Sequence, residues 1–92
     1  MIRSFADEVT EQVFNRRNSR RYAAIERVVL RKLRQIHSVS TVEELYEPPG
    51  NHLERLKSDR KGQWSLRIND QYRICFEWRD GDAYEVEIVD YH

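Results

Sequence analysis

The 92-residue chain is 39% hydrophobic and 35% charged, enough for one domain with a modest core and too little for a second. Its 16 basic and 16 acidic side chains cancel, but Arg crowds residues 1–40 while Asp and Glu crowd residues 77–92, so a neutral total still allows a cationic face. No apolar run approaches the roughly 20 residues of a membrane span, the start Met1-Ile2-Arg3-Ser4-Phe5 lacks the apolar stretch of a signal peptide, and the lone Cys75 excludes an intrachain disulfide; a cytoplasmic protein is expected.

In chain order, Ile2 to Phe5 predicts a short strand. Asp7 then caps a helix with Glu8 and Glu11 in its first turn and Val9, Val13 and Phe14 on one side. Asn18-Ser19 breaks that helix and is placed to cap the next. The second helix has the clearest period: Tyr22, Ile25, Val28, Val29, Leu33 and Ile36 recur at helical spacing, with Arg27, Arg31 and Arg34 between them. One side should pack on a sheet and the other meet water. His37 closes this helix, where it can satisfy terminal carbonyls. Thr41 and Glu44 match a capping box, with Val42 and Leu45 turned inward. Pro48-Pro49-Gly50 stops the helical run and starts an extended region in which His52 is a loop residue.

From about Leu53 the chain reads as strands joined by turns at Asn69-Asp70 and Asp80-Gly81-Asp82. Trp64, Leu66 and Ile68 alternate on one face, as do Tyr72, Ile74, Phe76 and Trp78, and then Tyr84, Val86 and Ile88. Keeping apolar residues opposite one another sets the pairing. Trp64 then faces Phe76, Leu66 faces Ile74, and Ile68 faces Tyr72, while Phe76 faces Val86 and Ile74 faces Ile88. Both hairpins would have three-residue loops, 69–71 and 80–82.

This register places Arg67 directly opposite Arg73 on the other face, and Arg73 opposite Val89. Two such cations repel each other. An anion such as phosphate between them would account for the pair, and so would neutralisation by Glu77, Glu85 or Glu87 on the same face. Tyr91 has the parity of Arg73. Lys57, out of phase with Leu56, can reach the same surface, and His92 follows at the end. Cations, a phenol and an imidazole serve both RNA binding and phosphodiester chemistry. The basic set favours Arg over Lys, which suits phosphate because the guanidinium grips two oxygens, although host codon usage gives the same bias. Cys75 has no positioned His and reads as a buried structural thiol. No C-x-x-C, H-x-x-x-H or glycine-rich phosphate loop occurs, so neither a metal nor a cofactor is expected.

The stretch from Pro48-Pro49-Gly50-Asn51-His52-Leu53-Glu54-Arg55-Leu56-Lys57 through Gly62-Gln63-Trp64-Ser65-Leu66-Arg67-Ile68-Asn69-Asp70-Gln71-Tyr72-Arg73-Ile74-Cys75-Phe76 resembles the signature of the HigB toxins, the plasmid-maintenance killer family. The ending Val86-Glu87-Ile88-Val89-Asp90-Tyr91-His92 and the start are also similar, so the resemblance spans essentially the whole chain. It implies an α+β, RelE-like fold in one domain, with N-terminal helices on one face of a small antiparallel sheet. It also implies cleavage of mRNA on the ribosome and neutralisation by a HigA-type helix-turn-helix antitoxin, through which alone operator DNA would be met. No membrane partner is implied.

Carried over residue by residue, the resemblance makes Lys57 and Arg73 the cations that hold the scissile phosphate, and Asp90, Tyr91 and His92 the terminal group implicated in cleavage. Arg67 is a further phosphate-binding cation. The chain departs from the family at Glu54, where some members carry His, and at Ser58, where Gly is common. The chemistry these side chains suit is attack by the RNA's own 2′-hydroxyl on the adjacent phosphate, with cations stabilising the charge. His92, with an ordinary pKa of about 6.5, titrates near neutrality. Arg16, Arg17, Arg20 and Arg21 at the interhelical turn would anchor rRNA phosphates, contact the antitoxin, or form a solvated helix junction. A non-catalytic RNA- or ribosome-binding module on the same fold is the alternative reading, kept open by Glu54, and a protein-interaction domain is a third.

Overall fold

The computed structural model describes residues 1–17, 20–57, 60 and 62–90. Helices α1 (Glu8–Phe14) and α2 (Glu26–Ser38) cover one face of an antiparallel sheet. Its strands β1 (Glu54–Arg55), β2 (Gln63–Arg67), β3 (Tyr72–Arg79) and β4 (Asp82–Asp90) lie side by side in chain order. Val13, Val29, Leu33 and Ile36 from the helices meet Leu66, Ile74, Phe76, Val86 and Ile88 from the strands in one buried cluster. The expected α+β arrangement is what the chain adopts. Among the described residues no helix is long and apolar enough to cross a membrane.

Asp7 caps α1 as its sequence context predicts, its carboxylate accepting the Thr10 N–H at 2.7 Å. The helix stops before Asn18-Ser19, which lie outside the described residues. The Arg16 N–H donates to the Val13 carbonyl and the Arg17 N–H to that of Gln12, with Arg16 left-handed at φ 59. This is a Schellman ending with Arg where Gly is the usual occupant. Tyr22 and Ile25 do not belong to α2 itself, because Ala23–Ile25 form a 3-10 turn that leads into it.

His37 does not satisfy helix carbonyls. Its Nδ1 accepts the Ile2 N–H at 3.1 Å and its ring packs on Phe14, so it ties the N-terminal segment to α2. The capping box at Thr41 and Glu44 is present and opens a 3-10 turn, Val42–Tyr46, with Val42 and Leu45 buried. Pro49–Asn51 form a further 3-10 turn rather than an extended entry to the sheet.

The β2–β3 register matches the sequence reading residue for residue: Trp64 with Phe76, Leu66 with Ile74, and Arg67 with Arg73. The Asn69 side chain closes the intervening loop by accepting the Gln71 and Tyr72 N–H groups at 2.8 and 2.7 Å, the turn-forming use of Asn. The β3–β4 hairpin differs. Arg79 pairs with Asp82, so the loop has two residues, Asp80-Gly81, and not the three of 80–82. Both have positive φ, 50 and 83, the geometry whose twist suits a two-residue hairpin. The shift this creates is absorbed by a bulge between Cys75 and Glu77, opposite left-handed Glu85 at φ 53. Beyond the bulge Ile74 pairs with Ile88 and Arg73 with Val89, as expected.

The short N-terminal strand appears as two parallel bridges to β4, Ile2 to Ala83 and Phe5 to Val86. Farther along the same strand the buried Thr10 hydroxyl accepts the Ile88 N–H at 3.1 Å. The strand edge is thereby covered rather than left open to pairing.

A left-handed Arg16 carries a backbone penalty that glycine does not. Arg16→Gly should raise stability by about 1 kcal/mol and the thermal midpoint by roughly 4–8 °C. A midpoint unchanged or lowered in a melting curve would show that this helix end is not strained.

Candidate functional site

The sheet face turned away from the helices is built on a transverse row, Glu54–Ser65–Cys75–Glu87, fixed by three successive pairings. Its middle members are small, and both are fully buried. Two guanidinium groups reach over the row from opposite ends. Arg73 donates through Nε to the Ser65 hydroxyl at 2.9 Å and through Nη2 to the His52 carbonyl at 2.6 Å, while its Nη1 stands 3.8 Å from the Glu54 carboxylate. Arg60 donates to Glu87 at 2.8 Å and to Gln63 at 3.0 Å.

Burial pushes the Cys75 thiol up to about 11; Arg60 opposes this, Glu87 adds to it, and Arg73 opposes it. The thiol is an inert floor, as its sequence context suggested. Arg60 escapes a reading of the sequence because it lies in the β1–β2 connection, where alternation carries no information. Its one signal is position, a cation between two strand segments that border the site.

Arg67 and Arg73 stand opposite each other on this face, as the register required. No anion is needed to hold them there. Arg67 is drawn toward the hairpin end by an ion pair with the wholly exposed Asp70, and Arg73 turns the other way toward Ser65, His52 and Glu54. The neutralising carboxylates are therefore Glu54 and Asp70, not the expected Glu77, Glu85 or Glu87. Glu77 instead pairs with Arg79 at 3.6 Å, and Glu87 with Arg60.

Lys57 is exposed two residues beyond the end of β1, and its ammonium makes no hydrogen bond or ion pair among the described residues. Asp90 ends β4 opposite Tyr72 and accepts from the Gln71 amide at 3.1 Å. Tyr91 and His92, expected beside it, lie outside the described residues. A depression of about 310 Å³ adjoins this strand end, with Asp90, Arg60 and Arg21 among its lining residues together with Tyr22 and Tyr72. The two phenol rings meet edge to face at 5.5 Å. Burial raises the Tyr22 pKa; Arg21 opposes the rise, and Asp7, Tyr72 and Asp90 reinforce it.

The basic group at the interhelical turn is divided by the fold. Arg21 borders the depression beside Asp90, Arg17 sits among Glu8, Glu11, Gln12 and Asn15, and Arg20 is exposed. Arg16 joins Arg27, Arg31 and Arg34, with Val28 and Leu30, around a groove of about 560 Å³ on the outer side of α2. Among the described residues no carboxylate lines that groove, and none of its four arginines forms an ion pair.

Among the described residues no group of three or more His, Cys, Asp and Glu side chains is placed to hold a metal ion.

A family model described as the RelE-like toxin of type II toxin-antitoxin system HigB matches residues 3–92. Among curated proteins the chain is similar to Toxin HigB-1 of Vibrio cholerae, 36% identical over 90% of both chains. It is also similar to Endoribonuclease HigB of Proteus vulgaris, 45% identical over 44% of both. In fold it resembles chains of two YoeB–YefM complexes from Staphylococcus aureus. Their TM-scores are 0.62 and 0.57 at 17% and 14% identity, covering all of this chain and 98% of each solved one.

A thiol this buried and this weakly acidic should resist modification. At pH 8 a pKa of about 11 leaves about one thiol in a thousand ionised, against roughly a quarter for an ordinary cysteine. Ellman's reagent should therefore label native Cys75 at least about a hundredfold more slowly than the denatured chain. Equal rates would mean that Arg60 and Arg73 do not roof the thiol.

Proposed function

The chain belongs to the HigB family of RelE-like toxins from type II toxin-antitoxin systems, and on that footing we propose that it is a ribosome-dependent endoribonuclease that cuts mRNA. The observation that carries the proposal is that Arg67 and Arg73 stand opposite each other on the sheet face turned away from the helices, with Arg60 over the same face from the other end. Cations held before the substrate arrives need little reorganisation as charge builds on a phosphate, and this is where electrostatic catalysis gains most. The relative named Endoribonuclease HigB adds support from outside the structure.

The cut is an internal transesterification. The 2′-oxygen of the RNA attacks the adjacent phosphorus, the bond to the 5′-oxygen breaks, and one proton leaves the 2′-hydroxyl while another reaches the departing oxygen. Arg73, Arg67 and Lys57 stabilise the phosphate charge. Asp90, Tyr91 and His92 supply the remaining groups: the phenol stacks on a base or polarises the hydroxyl, the imidazole moves a proton near neutrality, and the carboxylate orients them. No metal or cofactor enters this scheme.

The proposed partners are a HigA-type antitoxin, with operator DNA met only through it, and the cytoplasmic ribosome. We assign the groove of Arg16, Arg27, Arg31 and Arg34 to ribosomal RNA, with Arg17, Arg20 and Arg21 as separate phosphate contacts away from that groove. Arg27, Arg31 and Arg34 recur at i, i+4 and i+7, a row of guanidiniums along one helix face with no carboxylate to compete for phosphate. Glu54 beside Arg73 favours the second reading, a toxin that binds ribosomes without cutting.

Primer extension on a reporter mRNA after induction separates the two, because only an enzyme leaves discrete 5′ ends that vanish when translation is blocked. Arg73→Ala should lower cleavage by about 10²–10³ and abolish growth arrest, as should Tyr91→Ala, with antitoxin binding retained. Full toxicity in both would sink the site assignment. Arg31→Ala with Arg34→Ala should instead weaken ribosome binding and flatten its logarithmic salt dependence by about 1 for each phosphate no longer neutralised. An unchanged slope would take rRNA away from this groove.

A further inference from the structure

Lys32 is the one charged side chain on the buried stripe of α2. It lies three residues after Val29 and four before Ile36, so its direction is legible in the helical period even though its charge argues otherwise. Its ammonium has no carboxylate partner among the described residues and donates instead to the Asn51 side-chain oxygen at 2.7 Å. Burial lowers its pKa, with Arg31 and Arg67 adding to the shift. Removing an ammonium from water for one amide contact is costly, which makes the amide worth following.

Asn51 is 1% exposed, and every polar atom of its side chain is engaged. Its Nδ2 donates to the Gln35 side chain at 3.0 Å and to the Leu45 and Glu47 carbonyls at 3.2 and 3.1 Å. Gln35 in turn donates to the Glu47 carbonyl at 2.6 Å. The amide thus pins the turn before β1 to α2. The next residue, His52, is left-handed at φ 43, a conformation that non-glycine residues adopt only when their surroundings impose it. Its carbonyl is the acceptor that meets the Arg73 guanidinium at 2.6 Å.

We propose that Lys32 and Asn51, on the far side of the turn from the cationic face, are positioning residues for Arg73. The buried amide fixes the turn, the turn forces His52 into its left-handed state, and the carbonyl so presented holds one edge of the guanidinium while Ser65 holds another. This rests on the reading of Arg73 as a phosphate-binding cation, though the coupling itself can be measured without substrate.

The test combines nitrogen-edited NMR of the Arg73 Nε–H with cleavage kinetics on ribosomes carrying a defined transcript. In Asn51→Ala, solvent exchange of that proton should quicken by about tenfold or more while the amides of Leu33, Ile74 and Val86 stay protected. The turnover number should fall by about tenfold, with KM within about twofold, because a displaced cation weakens the transition state more than binding. Lys32→Met, which keeps the stem and removes the charge, should act in the same direction and less strongly. Unchanged Arg73 exchange in both variants overturns the proposal, and so does altered exchange with wild-type turnover. Loss of core protection in both also overturns it, since the network would then serve the whole fold. If the wild type does not cut RNA, the enzymatic reading fails, while the Arg73 proton still decides whether the amide governs the guanidinium.

Discussion

The pairing of Leu66 with Ile74, and of Ile74 with Ile88, determines on which face every other strand residue lies. All three are buried against α2 and α1, and each contributes about 1.5–3 kcal/mol relative to exposure. Sliding one strand by a residue would expose these side chains and drive Arg67 or Arg73 into the core. The like-charge contact between the two arginines costs a few tenths to about 1 kcal/mol. The core therefore decides the register and the cations accept it, relieving their repulsion by turning to separate partners. The placing of both arginines on one face thus results from packing on the other side of the sheet.

That face needs small residues at its centre for the same reason. Ser65 and Cys75 leave room for Arg73 to lie over the sheet and reach Ser65, whereas larger side chains would lift the guanidinium away from its acceptors. Glu54 and Glu87 at the two ends of the row are both exposed enough to be hydrated, with 59% and 26% of their side-chain surface open. Their arginine partners are 12% and 34% open. The two pairs set where the cations wait.

What is legible in the sequence is whatever repeats with a period. Alternation across β2 and β3 specifies their register to the residue, and the helical period specifies the buried stripe of α2. The Asp80-Gly81 turn is one residue shorter than alternation predicts, because a left-handed bulge at Glu85 restores apolar pairing farther along, and two compensating irregularities cancel in such a pattern. Arg60 over Glu87 and the Glu54 contact of Arg73 are hidden for another reason. They join residues 27 and 19 positions apart through connections whose path no local pattern encodes. Lys32 has the phase of the buried stripe and the charge of an exposed residue, and phase prevails. The family resemblance supplies what periodicity cannot, a reason to connect these cations with RNA.

Arg73 has a distribution of partners suited to exchanging one anion for another. Two of its hydrogen bonds go to neutral acceptors, a hydroxyl and a carbonyl, which orient the guanidinium without cancelling its charge. The Glu54 carboxylate is 3.8 Å away, beyond hydrogen-bonding distance and open to water. On the proposed function, a phosphate arriving at Nη1 displaces Glu54, whose side chain is 59% exposed and stands at long range from the guanidinium, while the neutral contacts persist. A His at position 54 would offer a titratable group there and no fixed negative charge. With Glu, the position carries a fixed negative charge beside the cation, and on the proposed function proton transfer then falls to Asp90, Tyr91 and His92.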